Sequence, residues 1–351
     1  MATATKPRLC PEADLLLDEC ADLEIDLQVE QVIARQLEVT GPAGERFVVD
    51  IAPGHAAMLE QVLQGMRFDF DALPSLVLGD SKDVRLLTPK VTLARLRPTV
   101  YSFTNNRYGT VPGTDEVRAR FSAAVFRSMA ESPGNRHLAS AFLGLVETPV
   151  GPLLAERRVS PCNLEVRVKR FHIGSPLHRY RYTEDHSTVS GPPLRRWSRF
   201  PDPVVCFDWR NPLHGDDGER LADEPISDDY AAVWMVDPQN AKRLARDSFE
   251  WLEERFRLAG LQLIDICFFI DRGGRVVYGE ISPDCMRVRS GASDDAEALD
   301  KDQWRSGAPA SELLLRYRRL HELVFGSSLD SSSSANDLVS QGGRHGTDGG
   351  A

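Results

Sequence analysis

Residues Leu261 to Arg287 read LQLIDICFFIDRGGRVVYGEISPDCMR. The apolar run LQLIDICFFI predicts a strand, DRGG predicts a glycine turn, and RVVYGEI predicts a strand that returns beside the first. This hairpin would place Asp265 and Glu280 on neighbouring strands. Its second strand leads directly into GEISPDCMR, where two carboxylates, a proline turn and an arginine follow one another.

The segment GEISPDCMR, residues 279–287, has a structural and a functional interpretation. In the structural one, Ser282 and Asp284 cap the turn backbone and Arg287 pairs with Asp284. In the functional one, Glu280 and Asp284 lie beside a cation or a reacting amine. Arg287 then binds a substrate anion through its planar guanidinium group. The spacing alone does not distinguish the two interpretations.

Composition excludes several classes of protein. The chain has 351 residues, 42% of them hydrophobic, so it can bury a large core in one domain or two lobes. Its formal net charge of -10 disfavours a general nucleic-acid binder, which needs excess Lys and Arg. The sequence lacks a signal peptide and a long apolar run, so we expect a cytoplasmic protein that does not act at a membrane. Its six scattered cysteines are expected to be free thiols.

Sequence patterns divide the chain into four predicted segments. Residues 1–75 form an N-terminal extension with an acidic amphipathic stretch and a hairpin around a Gly/Pro turn. Residues 76–155 alternate apolar and polar positions and then take helical spacing, which favours a nucleotide-binding lobe. Residues 156–326 would form the substrate and catalytic lobe. The Ser- and Gly-rich residues 327–351 are expected to be disordered.

The clearest helix signal is DPQNAKRLARDSFEWLEERFRLAG, residues 237–260. Asp237 can cap the helix, Pro238 fits its first turn and Gly260 ends it. One face is apolar and is expected to pack on an apolar surface. That face consists of Ala241, Leu244, Ala245, Phe249, Leu252 and Phe256.

Ten basic residues lie within residues 156–200, which is an unusual density for an acidic protein. A solvated basic face is the simplest interpretation of such a run. The GSPLHR turn after the strand favours binding instead, because Gly174 lets the backbone approach a ligand closely. Ser175 could then donate to an anion beside Lys169 or Arg170. Together these residues suit a phosphate or carboxylate pocket.

Two segments, GEISPDCMR and DKDQWR at residues 300–305, resemble the signature of the SAICAR synthetase family, the phosphoribosylaminoimidazole-succinocarboxamide synthases of purine biosynthesis. Four upstream segments resemble further motifs of the family. EVRVKRFHIGSPL resembles its substrate strand, LADEPIS its HDxxIS loop, LQLIDICFFID its LVDFKLEFG strand, and GDSKDVRLL its nucleotide loop. The order is the same over about residues 78–325. The resemblance implies a two-lobed α/β fold of the α+β kind, with antiparallel sheets and packed helices, related to ATP-grasp and kinase-like lobes.

The resemblance also implies an ATP-dependent ligase. In this reaction ATP with Mg²⁺ phosphorylates a substrate carboxylate, and the amine of aspartate attacks the acyl phosphate to give an amide. The partners would be a ribotide carboxylate and an amino acid, without nucleic acid or membrane, and the resemblance leaves room for a homo-oligomer.

Site residues follow from the same resemblance and from the basic cluster. Catalysis would involve Asp265, Glu280 and Asp284, with Glu280 also as the metal ligand. The cofactor-binding residues would be Lys82, Asp223 and Glu224. The substrate-binding residues would be Lys169, Arg170, Ser175, Asp284 and Arg287.

Several positions depart from the family pattern. The family's lysine is Cys267, its metal-binding glutamate is Phe269, and the acidic residue before Glu280 is Gly279. Two expected Mg²⁺ ligands are therefore missing, because Mg²⁺ requires oxygen ligands. Lys169 also replaces the arginine of the substrate strand.

Three hypotheses follow. The first is a diverged amide-forming ligase on a modified substrate, in a specialised pathway with a nucleoside-like product. Lys82 and the acidic residues Asp265 and Glu280 favour it. The second is an ordinary purine-pathway enzyme, which the missing ligands disfavour. The third is a ligand-binding or regulatory homologue without ATP and Mg²⁺ chemistry, which the missing ligands favour.

Overall fold

The structure, a computed structural model, describes residues 10–326 apart from 34, 103–106, 133, 135–137, 175–178, 190, 213–214 and 220. Two sequence-based predictions fall outside the described residues. They are the disordered tail at 327–351 and the substrate-binding role of Ser175.

The N-terminal part of the chain forms two helices and a small sheet. Its elements are α1 (Pro11–Asp22), β1 (Gln28–Ile33), β2 (Gln36–Thr40), β3 (Arg46–Asp50) and α2 (His55–Gly65). The three strands pair antiparallel in the order β1–β2–β3. The hairpin predicted around the Gly/Pro turn is confirmed as β2 and β3.

A second sheet carries the predicted nucleotide loop. Its strands are β4 (Ser75–Leu78), β5 (Lys82–Thr88), β6 (Val91–Leu96), β9 (Phe142–Thr148) and β10 (Gly151–Arg157). Their order is β4–β5–β6–β10–β9, with every neighbouring pair antiparallel. Between β6 and β9 the chain forms β7 (Thr99–Ser102), β8 (Arg107–Thr110) and α3 (Thr114–Glu131). The predicted helix is therefore confirmed as α3.

Side chains alternate between the two faces of a strand, and both faces of this second sheet are covered by helices or by the N-terminal elements. Leu93 and Leu153 pack with the buried residues of α1, β2 and α2. Ala94 and Leu154 pack with Ala119 and other buried residues of α3. The N-terminal elements therefore share a hydrophobic core with the sheet.

The third sheet follows and packs with one face against a long helix. Its elements are β11 (Leu164–Phe171), β12 (Arg199–Trp209), β13 (Glu224–Ile226), β14 (Gln262–Ile270), β15 (Val277–Tyr278) and β16 (Met286–Arg289). The order is β13–β12–β11–β14–β15, and β16 also pairs with β14. The remaining helices are α4 (Asp228–Trp234), α5 (Pro238–Leu258), α6 (Asp302–Arg305) and α7 (Ala310–Phe325).

Helix α5 confirms its predicted boundaries and face. The Asp237 side chain accepts a hydrogen bond from the backbone N–H of Asn240 at 2.9 Å, and Gly260 follows the last turn with a φ of 74°. All six residues of the predicted apolar face are buried and pack with the apolar side chains of β11 and β14. This helix supports the third sheet from one side.

The predicted hairpin is confirmed, since β14 and β15 pair antiparallel. However, the prediction that Asp265 and Glu280 lie on its neighbouring strands is wrong. Asp265 lies opposite Lys169 of β11 and Arg287 of β16. Gly279 has a φ of 80°, which ends β15 after two residues and directs Glu280 out of the ladder.

The mixed α/β class with antiparallel sheets and packed helices is thus confirmed. Within the described ranges, every helix is too short or too polar to cross a bilayer.

Candidate active site

The third sheet presents a polar face on the side away from α5. Alternation places every second residue of its three central strands on this face. In register across β12, β11 and β14, the rows are Asp208, Glu165 and Phe269; Cys206, Arg167 and Cys267; and Val204, Lys169 and Asp265. The predicted Asp265 and Lys169 are therefore direct neighbours.

Asp265 is the centre of an ion-pair cluster. Its carboxylate accepts hydrogen bonds from Lys169 Nζ and, at 2.6 Å, from Arg287 Nη1. Arg287 Nε also donates to Asp302 at 3.2 Å. Burial opposes ionisation of Asp265, but the charges of Arg287 and Lys169 outweigh it and hold its pKa below the usual value. The structure thus brings three predicted site residues together.

Asp284 lies in a different cluster. It accepts hydrogen bonds from Lys301 Nζ and from the Tyr317 hydroxyl, each at 3.0 Å. The predicted ion pair between Asp284 and Arg287 is therefore wrong, because the strand register directs Arg287 toward Asp265. The predicted backbone cap is present, since Ser282 Oγ accepts from the backbone N–H of Asp284 at 3.2 Å.

Glu280, predicted as a catalytic and metal-ligating residue, is paired with a buried arginine. Arg118 of α3 donates to both carboxylate oxygens, through Nε at 3.0 Å and Nη2 at 2.6 Å. Ser282 Oγ donates to the same carboxylate at 2.8 Å. Although burial opposes ionisation, Arg118 holds the pKa of Glu280 below its usual value. The charge of this carboxylate is already compensated by Arg118.

Lys82, the predicted phosphate-binding residue, lies over an aromatic ring. Its Nζ is 4.9 Å from the ring centroid of Phe269, and Arg210 Cζ is 4.7 Å from the same centroid. A Cβ added to Gly279 would lie 3.2 Å from Cδ2 of Phe269 and 3.3 Å from Lys82 Nζ. The two positions that depart from the family's metal ligands are therefore in contact with each other and with Lys82.

Glu156 is a site residue that the sequence analysis missed. Its buried side chain accepts a hydrogen bond from the backbone N–H of Gly279 at 2.6 Å. Burial raises the pKa of Glu156 to about 7, while the charge of Lys82 acts in the opposite direction. The available signal was a single glutamate at the end of the apolar strand GPLLAER.

Asp223 and Glu224, the other predicted cofactor-binding residues, lie at the edge of the third sheet. Asp223 accepts a hydrogen bond from the backbone N–H of Asn211 at 3.1 Å, and burial with nearby Glu165 raises its pKa to about 6. Glu224 is exposed and pairs with Trp209 at the start of β13.

Arg170, a predicted substrate-binding residue, points to the opposite face of the sheet from Lys169. It donates to Glu253 of α5 through Nε at 2.7 Å and Nη2 at 2.5 Å. It also donates to the carbonyl of Pro201 at 2.6 Å. The structure therefore separates Arg170 from the cluster around Asp265.

A protein-held Mg²⁺ does not fit these residues. Mg²⁺ requires oxygen ligands, and the side chains of Phe269 and Gly279 provide none. Both oxygens of Glu280 accept from Arg118. Across the described part of the chain, no group of three or more His, Cys, Asp or Glu side chains is arranged to hold a metal ion.

Comparisons with known sequences identify relatives of this chain. The SAICAR synthetase family model matches residues 76–314. The bifunctional cordycepin biosynthesis cluster protein 3 of Cordyceps militaris is 24% identical over 355 residues, covering 89% of this chain and 38% of that protein. The phosphoribosylaminoimidazole-succinocarboxamide synthase of Methanocaldococcus jannaschii is 23% identical over 247 residues, covering 70% of this chain and 91% of the relative. The chain thus spans less than half of the cordycepin-cluster protein.

Solved structures share the fold. A type-2 SAICAR synthetase in complex with ADP has a TM-score of 0.55 and 22% identity, covering 71% of this chain and 97% of that one. The SAICAR synthase of Saccharomyces cerevisiae complexed with SAICAR has a TM-score of 0.55 and 18% identity, covering 75% and 98%. Because the family match extends over more than half of the sequence, the chain belongs to the SAICAR synthetase family, whose members are ATP-dependent ligases.

Proposed function

We propose that this protein is an ATP-dependent ligase that joins a ribotide-like heterocyclic carboxylate to an amino acid such as aspartate. We further propose that it acts in a specialised pathway with a nucleoside-like product. Family membership supports the reaction class, and the cordycepin-cluster relative supports the specialised pathway.

One observation carries the substrate part of this proposal: Gly174, the first residue of the GSPL motif, lies against the arginine of GEISPDCMR. Gly174 has a φ of 77°, and a Cβ there would lie only 2.6 Å from Arg287 Nη1. Lys169 Nζ donates to the carbonyl of Ile173 at 3.1 Å, which connects the residue before Gly174 with the cluster around Asp265. Two motifs that are more than 100 residues apart in sequence therefore form one site.

The charges of this site suit an anionic substrate. Four cations surround two ionised carboxylates, so an added phosphate or carboxylate group is favoured electrostatically. The cations are Lys169, Arg287, Arg289 and Arg305, and the carboxylates are Asp265 and Asp302. The pKa of Asp300, which precedes this cluster in the DKDQWR segment, is raised to about 7 by burial and by Asp302.

The nucleotide part of the proposal rests on Lys82 and on the ADP-bound relative. In the proposed reaction a carboxylate oxygen attacks the γ-phosphorus of ATP and ADP leaves. The amine then attacks the acyl carbon, and phosphate leaves with the oxygen that came from the carboxylate. Lys82 would bind the phosphates, and Arg287 with Lys169 would hold the ribotide anion. No step is assigned to Mg²⁺, because Glu280 is paired with Arg118.

The second candidate function is a ligand-binding or regulatory homologue without ATP chemistry. Phe269 and Gly279 favour it, because they remove two family carboxylates. The same two residues argue against an ordinary purine-pathway SAICAR synthetase.

Steady-state ADP release tests the proposal. Purified protein receives ATP, aspartate and an imidazole or pyrazole ribotide carboxylate, and each component is omitted in turn. We expect ADP only from the complete mixture, strong loss of activity in Arg287→Met, and unchanged activity in Lys242→Met, whose lysine pairs with Asp228 away from the site. A protein that binds ATP yet releases no ADP in any mixture would favour the ligand-binding homologue.

A further inference from the structure

The side chains around Phe269 carry a different charge from those of the family pattern. Glutamate and aspartate are replaced by Phe269 and Gly279, while the predicted phosphate-binding Lys82 is retained. A second cation, Arg210, lies on the same ring. A place that carries two carboxylates in the family therefore carries two cations and an uncharged ring here.

The two replaced positions fit each other. A side chain at Gly279 would press against Cδ2 of Phe269 and against Lys82 Nζ. The ring in turn attracts both cations through the negative charge of its π system. Phe269 therefore occupies the space beside Gly279. Its ring holds Lys82 in place by a cation–π contact, whereas a carboxylate would hold it by an ion pair.

Lys82 is available to a ligand. Within the described part of the chain, no salt bridge of 4.0 Å or less involves Lys82, and its Nζ lies over the Phe269 ring. The buried Glu156 influences it electrostatically, but the bonded oxygen of Glu156 faces the N–H of Gly279. Lys82 has therefore kept its positive charge uncompensated by a direct salt bridge.

Arg210 is also accessible. Its side chain is 42% exposed, and its contact with Glu165 is a long one of 3.6 Å. An ion pair of this length with a 42% exposed arginine is weak, so a phosphate group can replace it. Arginine binds phosphate oxygens in a bidentate manner, and lysine binds them as a point charge.

We propose that Lys82 and Arg210, held by Phe269, bind the polyphosphate of a nucleotide directly, so that binding requires no divalent metal. This inference rests on the proposed ATP site and changes how that site neutralises charge. Two carboxylates at these positions would repel the phosphates unless a cation compensated their charge. These two carboxylates are absent here, so Lys82 and Arg210 contact the phosphates directly.

Calorimetric titration with ATP, ADP and inorganic tripolyphosphate tests the inference, in EDTA and in Mg²⁺. We expect the Kd of each ligand in EDTA to be within about threefold of its value in Mg²⁺. Lys82→Met and Arg210→Met should each weaken binding in EDTA about tenfold or more, as expected for the loss of one charge-assisted contact. Lys90→Met is the matched control, because Lys90 is a half-exposed lysine that pairs with Asp22, and it should leave the Kd unchanged.

A reciprocal variant restores the family residues. Phe269→Glu combined with Gly279→Asp should lose binding in EDTA and regain it in Mg²⁺ or Mn²⁺, with bound Mn²⁺ detected by electron paramagnetic resonance. Phe269→Leu is its uncharged companion. It should unfold at a similar temperature and bind tripolyphosphate in EDTA more weakly than wild type, without a gain from Mg²⁺, because it lacks the ring that holds Lys82 and Arg210.

The inference is overturned if Mg²⁺ tightens wild-type binding of ATP about tenfold or more, or if Lys82→Met and Arg210→Met bind as tightly as wild type in EDTA. It is also overturned if tripolyphosphate and nucleotides fail to bind under every condition. Metal-free ATP binding without ADP release would support this inference and contradict the ligase proposal. ADP release that occurs only with Mg²⁺-dependent binding would support the ligase proposal and contradict this inference.

Discussion

Arg118 and Glu280 form a buried, doubly hydrogen-bonded ion pair that connects α3 with the turn after β15. Arg118 is fully buried, and Glu280 is 6% exposed. Arg118 also donates to the carbonyl of Arg97 at 2.9 Å, so its side chain is bonded on several sides. The carboxylate that was predicted to bind the metal ion is therefore paired with Arg118 and connects α3 with the turn after β15.

Arg118→Met should destabilise the protein by about 3–5 kcal/mol, because it leaves the buried charge of Glu280 uncompensated. Urea unfolding measures this loss. Arg120→Met on the same helix is the control: Arg120 pairs with the half-exposed Glu147 and should cost at most about 1 kcal/mol. Equal losses in the two variants would contradict the structural role of Arg118.

Glu156→Gln should change the pH dependence of stability. Because the folded-state pKa of Glu156 is about 7 against an ordinary 4.5, the folded protein binds more protons than the unfolded chain between these values. Wild-type stability from this group therefore falls as pH rises through that window and is constant above it. The variant should lack this fall and be more stable above pH 7 by on the order of 1–3 kcal/mol.

Urea unfolding at several pH values checks this prediction. Glu38→Gln is a suitable control, because Glu38 is exposed on β2. It should keep the wild-type pH profile. A Glu156→Gln protein with the same profile as wild type would show that Glu156 is not held protonated by burial.

Gly174→Ala should weaken binding of the carboxylate substrate. The new methyl group would displace the guanidinium of Arg287 from its position, so we expect the KM of the ribotide carboxylate to rise about tenfold or more while that of ATP changes little. Gly260→Ala introduces the same left-handed strain, with a φ of 74° and no described atom within 4 Å of its Cβ. It should lower stability without changing either KM. Equal KM values for the ribotide carboxylate in both variants would show that Gly174 does not contribute to the substrate site.

Leu63→Ala should destabilise the whole described chain by about 2–5 kcal/mol, because Leu63 of α2 is fully buried in the core shared with the second sheet. Denaturation should remain a single transition that shifts as one. Leu315→Ala on α7 removes a leucine that is 63% exposed and should change stability by less than about 0.5 kcal/mol. A separate early transition in Leu63→Ala would show that the N-terminal elements unfold independently.

The sequence predicted those elements whose signals are local. Helix α5 was predicted with its cap Asp237 and its buried face, because period and capping are properties of neighbouring residues. The hairpin of β2 and β3 was predicted from its Gly/Pro turn in the same way. The position of Glu280 was predicted wrongly, because the positive φ of Gly279 ends β15 before Glu280 and the apolar pattern does not indicate where a strand ends.

The candidate site was only partly predictable. The spacing left open whether Arg287 pairs with Asp284, three residues away, and the register of β16 with β14 sets Arg287 against Asp265. Arg118 reaches Glu280 across 162 positions, and such a contact depends on packing. The resemblance identified Phe269 and Gly279 as departures, but their contact with each other required the structure.

The central claim is that the protein forms an amide by way of an acyl phosphate. It is tested most directly with a ribotide carboxylate labelled with ¹⁸O in its carboxyl group, supplied with ATP and aspartate, and with mass spectrometry of the released phosphate. The account predicts one ¹⁸O atom in each phosphate formed, because the amine expels phosphate together with the carboxylate oxygen. Unlabelled phosphate, or the absence of phosphate and amide, would contradict it.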